Sequence, residues 1–201
     1  MFRQPPGRDG NYLDLLNLGP GADAAIDRLR GILDAEQYKM SEIEALLADV
    51  DWRPQLVAAV AIAIDPSTHI AIPSLWSALL GGTWVAPQLA AVLSIADRDF
   101  EEIAQRKIDG LCRIEGTRWL SIGGAPDQSG PGVVNHFSGK ALSALIAMCE
   151  LRPEWQFWLN PLVDRADVKD AVAKDFDGGG YIATRWLKSL QQMLSDDVQS
   201  S

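Results

Sequence analysis

Between Pro54 and Ala96, a stretch of 43 residues, Asp65 is the only residue with a formal charge. The first fifty residues alone carry fourteen charges. A run this long without charge must be covered by protein or by lipid. Its apolar segments are Leu56 to Ile64, Ala71 to Leu80 and Trp84 to Ala96, each interrupted by proline, glycine or a polar cluster. None reaches the roughly 18 residues that a bilayer span needs. The stretch therefore reads as the central helices of a water-soluble core, or as a face against a partner.

The same stretch contains an echo. Pro54-Gln55-Leu56-Val57-Ala58-Ala59-Val60-Ala61-Ile62-Ala63-Ile64 aligns with Pro87-Gln88-Leu89-Ala90-Ala91-Val92-Leu93-Ser94-Ile95-Ala96-Asp97 at an offset of 33, with six identities in eleven. Trp52 and Trp84 precede the two copies, and the offset persists where Ile70, Ala71 and Leu75 fall opposite Ile103, Ala104 and Ile108. A period of this size is what a helix-turn-helix repeat produces, because one unit cannot bury its apolar face without its neighbour. In such a stack the central units are covered on both sides and the terminal helices form polar caps, which accounts for a neutral middle between charged ends.

Helix signals extend over most of the chain. Ile26, Leu29 and Leu33 form one stripe, and Ser41 with Glu44 has capping-box spacing ahead of Ile43, Leu46, Leu47 and Val50. Pro54, Pro73 and Pro87 suit first turns, Pro66 follows a helix end, and Gly81-Gly82 stops a helix. Asp99 with Glu102 again has cap spacing, before Phe100, Ile103, Ala104, Ile108 and Leu111. Further stripes are Leu142, Leu145, Ile146 and Cys149; Trp155, Trp158, Leu159 and Leu162; Val168, Ala171, Val172 and Phe176; and Ile182, Trp186, Leu190 and Met193. Strand-type alternation is confined to a short piece near Trp119 to Ile122. The expected fold is all-α: a single helical-repeat domain over residues 1–201, an α-solenoid of about nine or ten helices. It has one long Gly-rich irregular loop over about 115–138, and Asp177-Gly178-Gly179-Gly180 stops a helix before the last one.

Charge and cysteines bound the function. With 27 acidic against 18 basic residues and a net charge of -9, the surface as a whole repels phosphate backbones, so nucleic-acid and anionic-membrane partners are not expected. Cys112 and Cys149 have no C-x-x-C spacing and read as buried small hydrophobes in a reducing compartment. The amino-terminal run M-F-R-Q-P-P-G-R-D-G-N-Y lacks the apolar core of a secretory signal, and a cytoplasmic location is expected.

Catalytic signatures are thin. His69 and His136 are the only histidines, so neither a metal site nor a cofactor is expected. His69 follows Asp65 by four residues beside Ser67 and Thr68, which reads as a capped turn rather than a triad. The run G-P-G-V-V-N-H-F-S-G-K ending at Lys140 departs from a phosphate loop. Val134 stands where the first glycine belongs, and Ala141 where a Ser or Thr is required. The carboxylates Asp97, Asp99, Glu101 and Glu102, and the pair Asp196 and Asp197, read as solvated helix termini.

Seven tryptophans in an acidic helical chain are more informative. Four or five are expected in the core, with Trp119, in the Gly-rich loop beside Asn135, His136 and Phe137, the best candidate for exposure. The stretch from Asp51 to Asp109, with W-R-P-Q-L-V-A-A-V-A-I, L-W-S-A-L-L-G-G-T-W-V-A-P-Q-L-A-A-V and D-R-D-F-E-E-I-A, resembles HEAT-like helical-repeat proteins. More particularly it resembles small bacterial immunity proteins that neutralise a toxin encoded beside them. The resemblance covers about a third of the chain and implies a non-enzymatic cytoplasmic binder of a cognate toxin. Acidity suits that task, since a negative surface captures a basic partner by electrostatic steering. The expected contact residues are Asp97, Asp99, Glu101 and Glu102, with Trp84, Trp119 and His136. The alternatives are a general helical-repeat scaffold or adaptor, and a small hydrolase using the 115–139 loop around His136.

Overall fold

The computed structural model describes residues 11–35, 39–112 and 136–200. Among these the chain is helical and without strands: α1 (Asn11–Asn17), α2 (Ala22–Ala35), α3 (Lys39–Leu47), α4 (Trp52–Ile64), α5 (Ile72–Leu80), α6 (Ala86–Ala96), α7 (Phe100–Cys112), α8 (His136–Glu150), α9 (Gln156–Val163), α10 (Ala166–Val172) and α11 (Gly179–Ser200). Short 3-10 turns at Pro66–Ala71 and Pro153–Trp155 precede α5 and α9. Of the irregular loop expected over 115–138, residues 136–138 belong to α8. The remainder, with Trp119 and the strand-like piece near it, lies outside the described residues.

The punctuation in the sequence does what its chemistry requires. Asp51 caps α4 by accepting from the Arg53 amide at 3.0 Å, and Pro54 occupies the first turn. Asp65 ends α4 and caps the next turn by accepting from Ser67 N at 2.9 Å, while the Thr68 hydroxyl donates to the Asp65 carbonyl at 2.6 Å. His69 thus sits in a capped turn. Gly82, at φ 88°, follows the C-cap Gly81 of α5 in the left-handed region that glycine tolerates. Two expectations shift. Ser41 lies inside α3, which begins at Lys39, and Val50 is fully exposed because α3 stops at Leu47 before its stripe can reach it.

The neutral stretch forms the centre. Every residue of α6 from Ala86 to Leu93 is buried, and so are seven of the thirteen in α4. α6 packs against α4, α5, α8 and α11, so charge is excluded from its whole circumference. In a linear solenoid each unit touches only its neighbours. Here α11 instead returns to lie along both α6 and α8, and the Trp186 indole N–H donates to the Leu15 carbonyl of α1 at 2.9 Å. The α8–α11 contact is close because it is lined by small residues: a Cβ on Gly180 would come within 3.0 Å of the Ser143 carbonyl and 3.1 Å of Ala147 Cβ.

The two Pro-Gln-Leu helices share a device as well as a sequence. Gln55 and Gln88 are both buried. The Gln55 amide donates to the Leu47 and Asp49 carbonyls at 3.4 and 2.7 Å, at the end of α3. The Gln88 amide donates to the Leu16 carbonyl at 3.3 Å, at the end of α1. Each therefore satisfies carbonyls left over where a neighbouring helix stops. In both, the side-chain Oε1 is buried without a hydrogen-bond partner. Farther along the echo, Ala71 and Ala104, and Leu75 and Ile108, are buried in pairs, whereas Ile70 is exposed.

Candidate functional site

The expected contact residues among those described fall at opposite ends of α6. Trp84 precedes its first turn and Asp97 follows its last, so the eleven residues of the helix hold them about 16 Å apart along its axis. Trp84 and the acidic cluster are two separate surfaces.

At the first end the Gly81-Gly82 stop and the Thr83 hydroxyl, which accepts from Val85 N at 3.4 Å, fix the short turn that carries Trp84 outward. Its ring is 43% exposed. It packs on Trp52 with centroids 4.9 Å apart, and Trp52 meets Tyr12 edge-on at 5.6 Å. Arg53 lies over both Trp52 and Tyr12, at 4.7 and 5.0 Å, and its guanidinium is held above its ordinary pKa by hydrogen bonding to Tyr12 first and also by Asp51. Lys140 of α8, only 4% exposed, places Nζ 4.9 Å from the Trp84 ring centroid and 3.2 Å from Asp177. His136 opens α8 one turn before Lys140, so its backbone belongs to this end of the molecule. Exposed Leu13 adjoins Tyr12 and exposed Val50 lies two residues before Trp52. The result is a row of aromatic rings, Trp84 exposed and Trp52 and Tyr12 half-buried, with cations on their faces. Sequence reasoning named Trp84 but missed Tyr12, Trp52 and Arg53. The W-R-P-Q string contained two of them, yet only the return of α1 onto α4 brings Tyr12 alongside.

At the second end the four acidic residues divide. Asp97 and Glu101 are half-buried and engaged internally: the Trp76 indole donates to Asp97 Oδ2 at 2.7 Å, and the Trp158 indole donates to Glu101 Oε1 at 3.0 Å. Asp97 also accepts from the Asp99 amide at 3.0 Å, taking the donor that a capping box would have assigned to Glu102. Glu102 is exposed and pairs loosely with Arg106 at 3.6 Å, and Asp99 is exposed. The indoles belong to an aromatic file, Trp76 to Phe100 at 5.7 Å, Phe100 to Trp155 at 6.0 Å and Trp155 to Trp158 at 6.3 Å. This file ties α5, α7 and α9 together. Cys149 of α8 is fully buried, and burial first, then Glu101 and Glu150, pushes its thiol up to about 12.

Beside this end, a groove of about 620 Å³ lies between α5 and α7. Its serine, Ser77, donates its hydroxyl to the Pro73 carbonyl at 3.0 Å within its own helix. Among the described residues, no group of three or more His, Cys, Asp or Glu side chains is placed to hold a metal ion, and no helix is long and apolar enough to cross a membrane. The chain matches no family model, no curated protein and no solved structure.

Proposed function

We propose that the chain is a cytoplasmic protein-binding module of the immunity type, a HEAT-like repeat protein that binds and neutralises a cognate, basic bacterial toxin without catalysis of its own. The observation that carries this reading is the aromatic cluster in which exposed Trp84 packs on half-buried Trp52, with Arg53 lying over Trp52 and half-buried Tyr12. Tryptophan, tyrosine and arginine are the residues that dominate binding energy at protein interfaces, and rigid rings lose little entropy when a partner covers them. The shared burial and hydrogen bonding of Gln55 and Gln88 supports the repeat origin. The net charge of -9 supports a basic partner, because long-range attraction raises the rate of encounter.

Co-expression with the product of the adjacent reading frame tests the proposal. A co-purifying complex and rescue of growth are expected, and Trp84→Ala should weaken the complex by about 2 kcal/mol, or some thirtyfold. Absence of both complex and rescue overturns it.

A further inference from the structure

Lys140, which ends the run that departs from a phosphate loop, stands where a charge is least expected. It lies near the start of α8 in an unbroken series of buried residues from Gly139 to Ile146, and its own side chain is 5% exposed. An apolar side chain of similar length would fill the same space without the cost of taking an ammonium out of water. Packing alone does not account for a lysine here.

The stem of Lys140 is held by the start of α11. Gly178, at φ 70°, turns the chain into that helix, and the Gly179 amide donates to Asp175 Oδ2 at 2.6 Å. Gly179 lies so close to Lys140 that a Cβ on it would collide with the Lys140 carbonyl and come within 2.9 Å of Lys140 Cγ. The stem therefore passes against the first residue of α11 and delivers Nζ to the Asp177 carboxylate at 3.2 Å and to the Trp84 ring, 4.9 Å from its centroid. Asp177 precedes α11 and Trp84 precedes α6, so one ammonium joins the beginnings of α6, α8 and α11. The burial of the ion pair is unequal, since the Asp177 side chain is 59% exposed and stays solvated with or without its partner. The Trp84 ring, 43% exposed, is steadied by the Trp52 ring and by this ammonium.

We propose that Lys140 is a positioning residue: its buried ammonium, anchored by Asp177, holds the Trp84 ring in the pose that a partner meets. The proposal rests on the reading of Trp84 as a contact residue. A large ring that is already ordered before binding loses less freedom when it is covered, so a fixed cation against it raises affinity without itself touching the partner. The charge is what does this, because the stem could be replaced by any straight apolar chain, whereas attraction to the ring needs the ammonium. The unequal burial sets the order of the consequences. Loss of the lysine leaves Asp177 in water, but loss of the Asp177 charge leaves a buried ammonium without its counter-ion.

Lys140→Met, which keeps the stem and removes the charge, tests it on the full chain. NMR resolves one indole N–H among the seven tryptophans, and that of Trp84 is the signal lost in Trp84→Phe. In Lys140→Met the order parameter of this N–H should fall from the rigid range, about 0.85, to below about 0.6, while that of buried Trp186 stays unchanged. Tm should stay within about 4 °C of the parent's, and Asp177→Asn should lower it further than Lys140→Met does. In the co-expression test, Lys140→Met should weaken the complex about tenfold. An unchanged Trp84 indole in Lys140→Met overturns the proposal, as does a larger fall in Tm, or loss of folding, in Lys140→Met than in Asp177→Asn, since the lysine would then serve the core. Full affinity of a Lys140→Met complex whose Trp84 indole has loosened also overturns it. If the parent forms no complex, the toxin reading fails, while the indole measurement still decides whether Lys140 positions the ring.

Discussion

The two ends of α6 hold the same kinds of residue in opposite states. At the Asp97 end, indoles are turned inward and their N–H groups are held by carboxylates at 2.7 and 3.0 Å. At the Trp84 end, Trp84 is exposed, Trp52 and Tyr12 are half-buried, and cations rather than carboxylates engage the rings, on their faces. An acidic cluster beside tryptophans reads from sequence as a partner surface. Here two of its four carboxylates are structural, and the surface with the composition of an interface lies at the other end. What distinguishes a binding residue is the part of its hydrogen-bonding and apolar capacity that folding leaves unused.

Substitutions should separate the ends. Asp97→Ala leaves the Trp76 indole and the Asp99 amide without their acceptor, and should lower stability by about 2–3 kcal/mol in denaturant unfolding. Trp84→Ala should cost a similar amount, about 2–3 kcal/mol, because at 43% exposure more than half of the residue is already covered, but it alone should also weaken partner binding once the loss of folded protein is accounted for. Equal effects of the two substitutions on binding would remove the distinction between the ends.

Cys149 reports the inward end through pH. Its thiol is raised from 9.0 to about 12, so below pH 9 it is protonated both folded and unfolded, and that protection is complete. As pH rises from 9 toward 12 the unfolded thiol ionises while the folded one does not, and stability falls by up to about 1.4 kcal/mol per pH unit. Cys149→Ala should flatten this limb of the stability–pH curve relative to the parent, and Glu101→Gln should shift it slightly by removing a neighbouring negative charge. A limb unchanged by Cys149→Ala would place the titration elsewhere.

The smallest effects belong to the exposed acids. Asp99→Asn and Glu102→Gln should change stability by no more than about 0.5 kcal/mol, since their carboxylates face solvent. Under the proposed toxin-binding function, their substitution should act on the association rate and its dependence on salt, measured by stopped flow. A loss confined to the dissociation rate would make them direct contacts instead.

The helical class was legible because its signals are local. Proline in a first turn, Asp51 and Asp65 as caps, and Gly81-Gly82 as a stop each act within a few residues, and the uncharged run from Pro54 to Ala96 identified the centre. The return of α11 onto α6 and α8 was not legible. Its stripe of Trp186 and Leu190 declares a buried face but not which helices bury it, and the fit depends on absent side chains at Gly179 and Gly180. The site was read in part for the same reason. Trp84 stood out as one residue, but Lys140 on its face and Tyr12 against neighbouring Trp52 come from α8 and α1, far away in the chain. Trp76 and Trp158 announced burial, whereas their bonds to Asp97 and Glu101 needed geometry.

The bond from Trp186 to the Leu15 carbonyl has a consequence for how the chain comes into being. α6 leaves the ribosome covered by α4 and α5 on part of its circumference, and the cover that α11 supplies is made about 90 residues later than the end of α6. At synthesis rates of about 5–20 residues per second, that cover is missing for roughly 5–20 seconds. During that interval the nascent chain exposes the most neutral part of its sequence, and its yield in a cell depends on whatever shields that part until the last helix arrives.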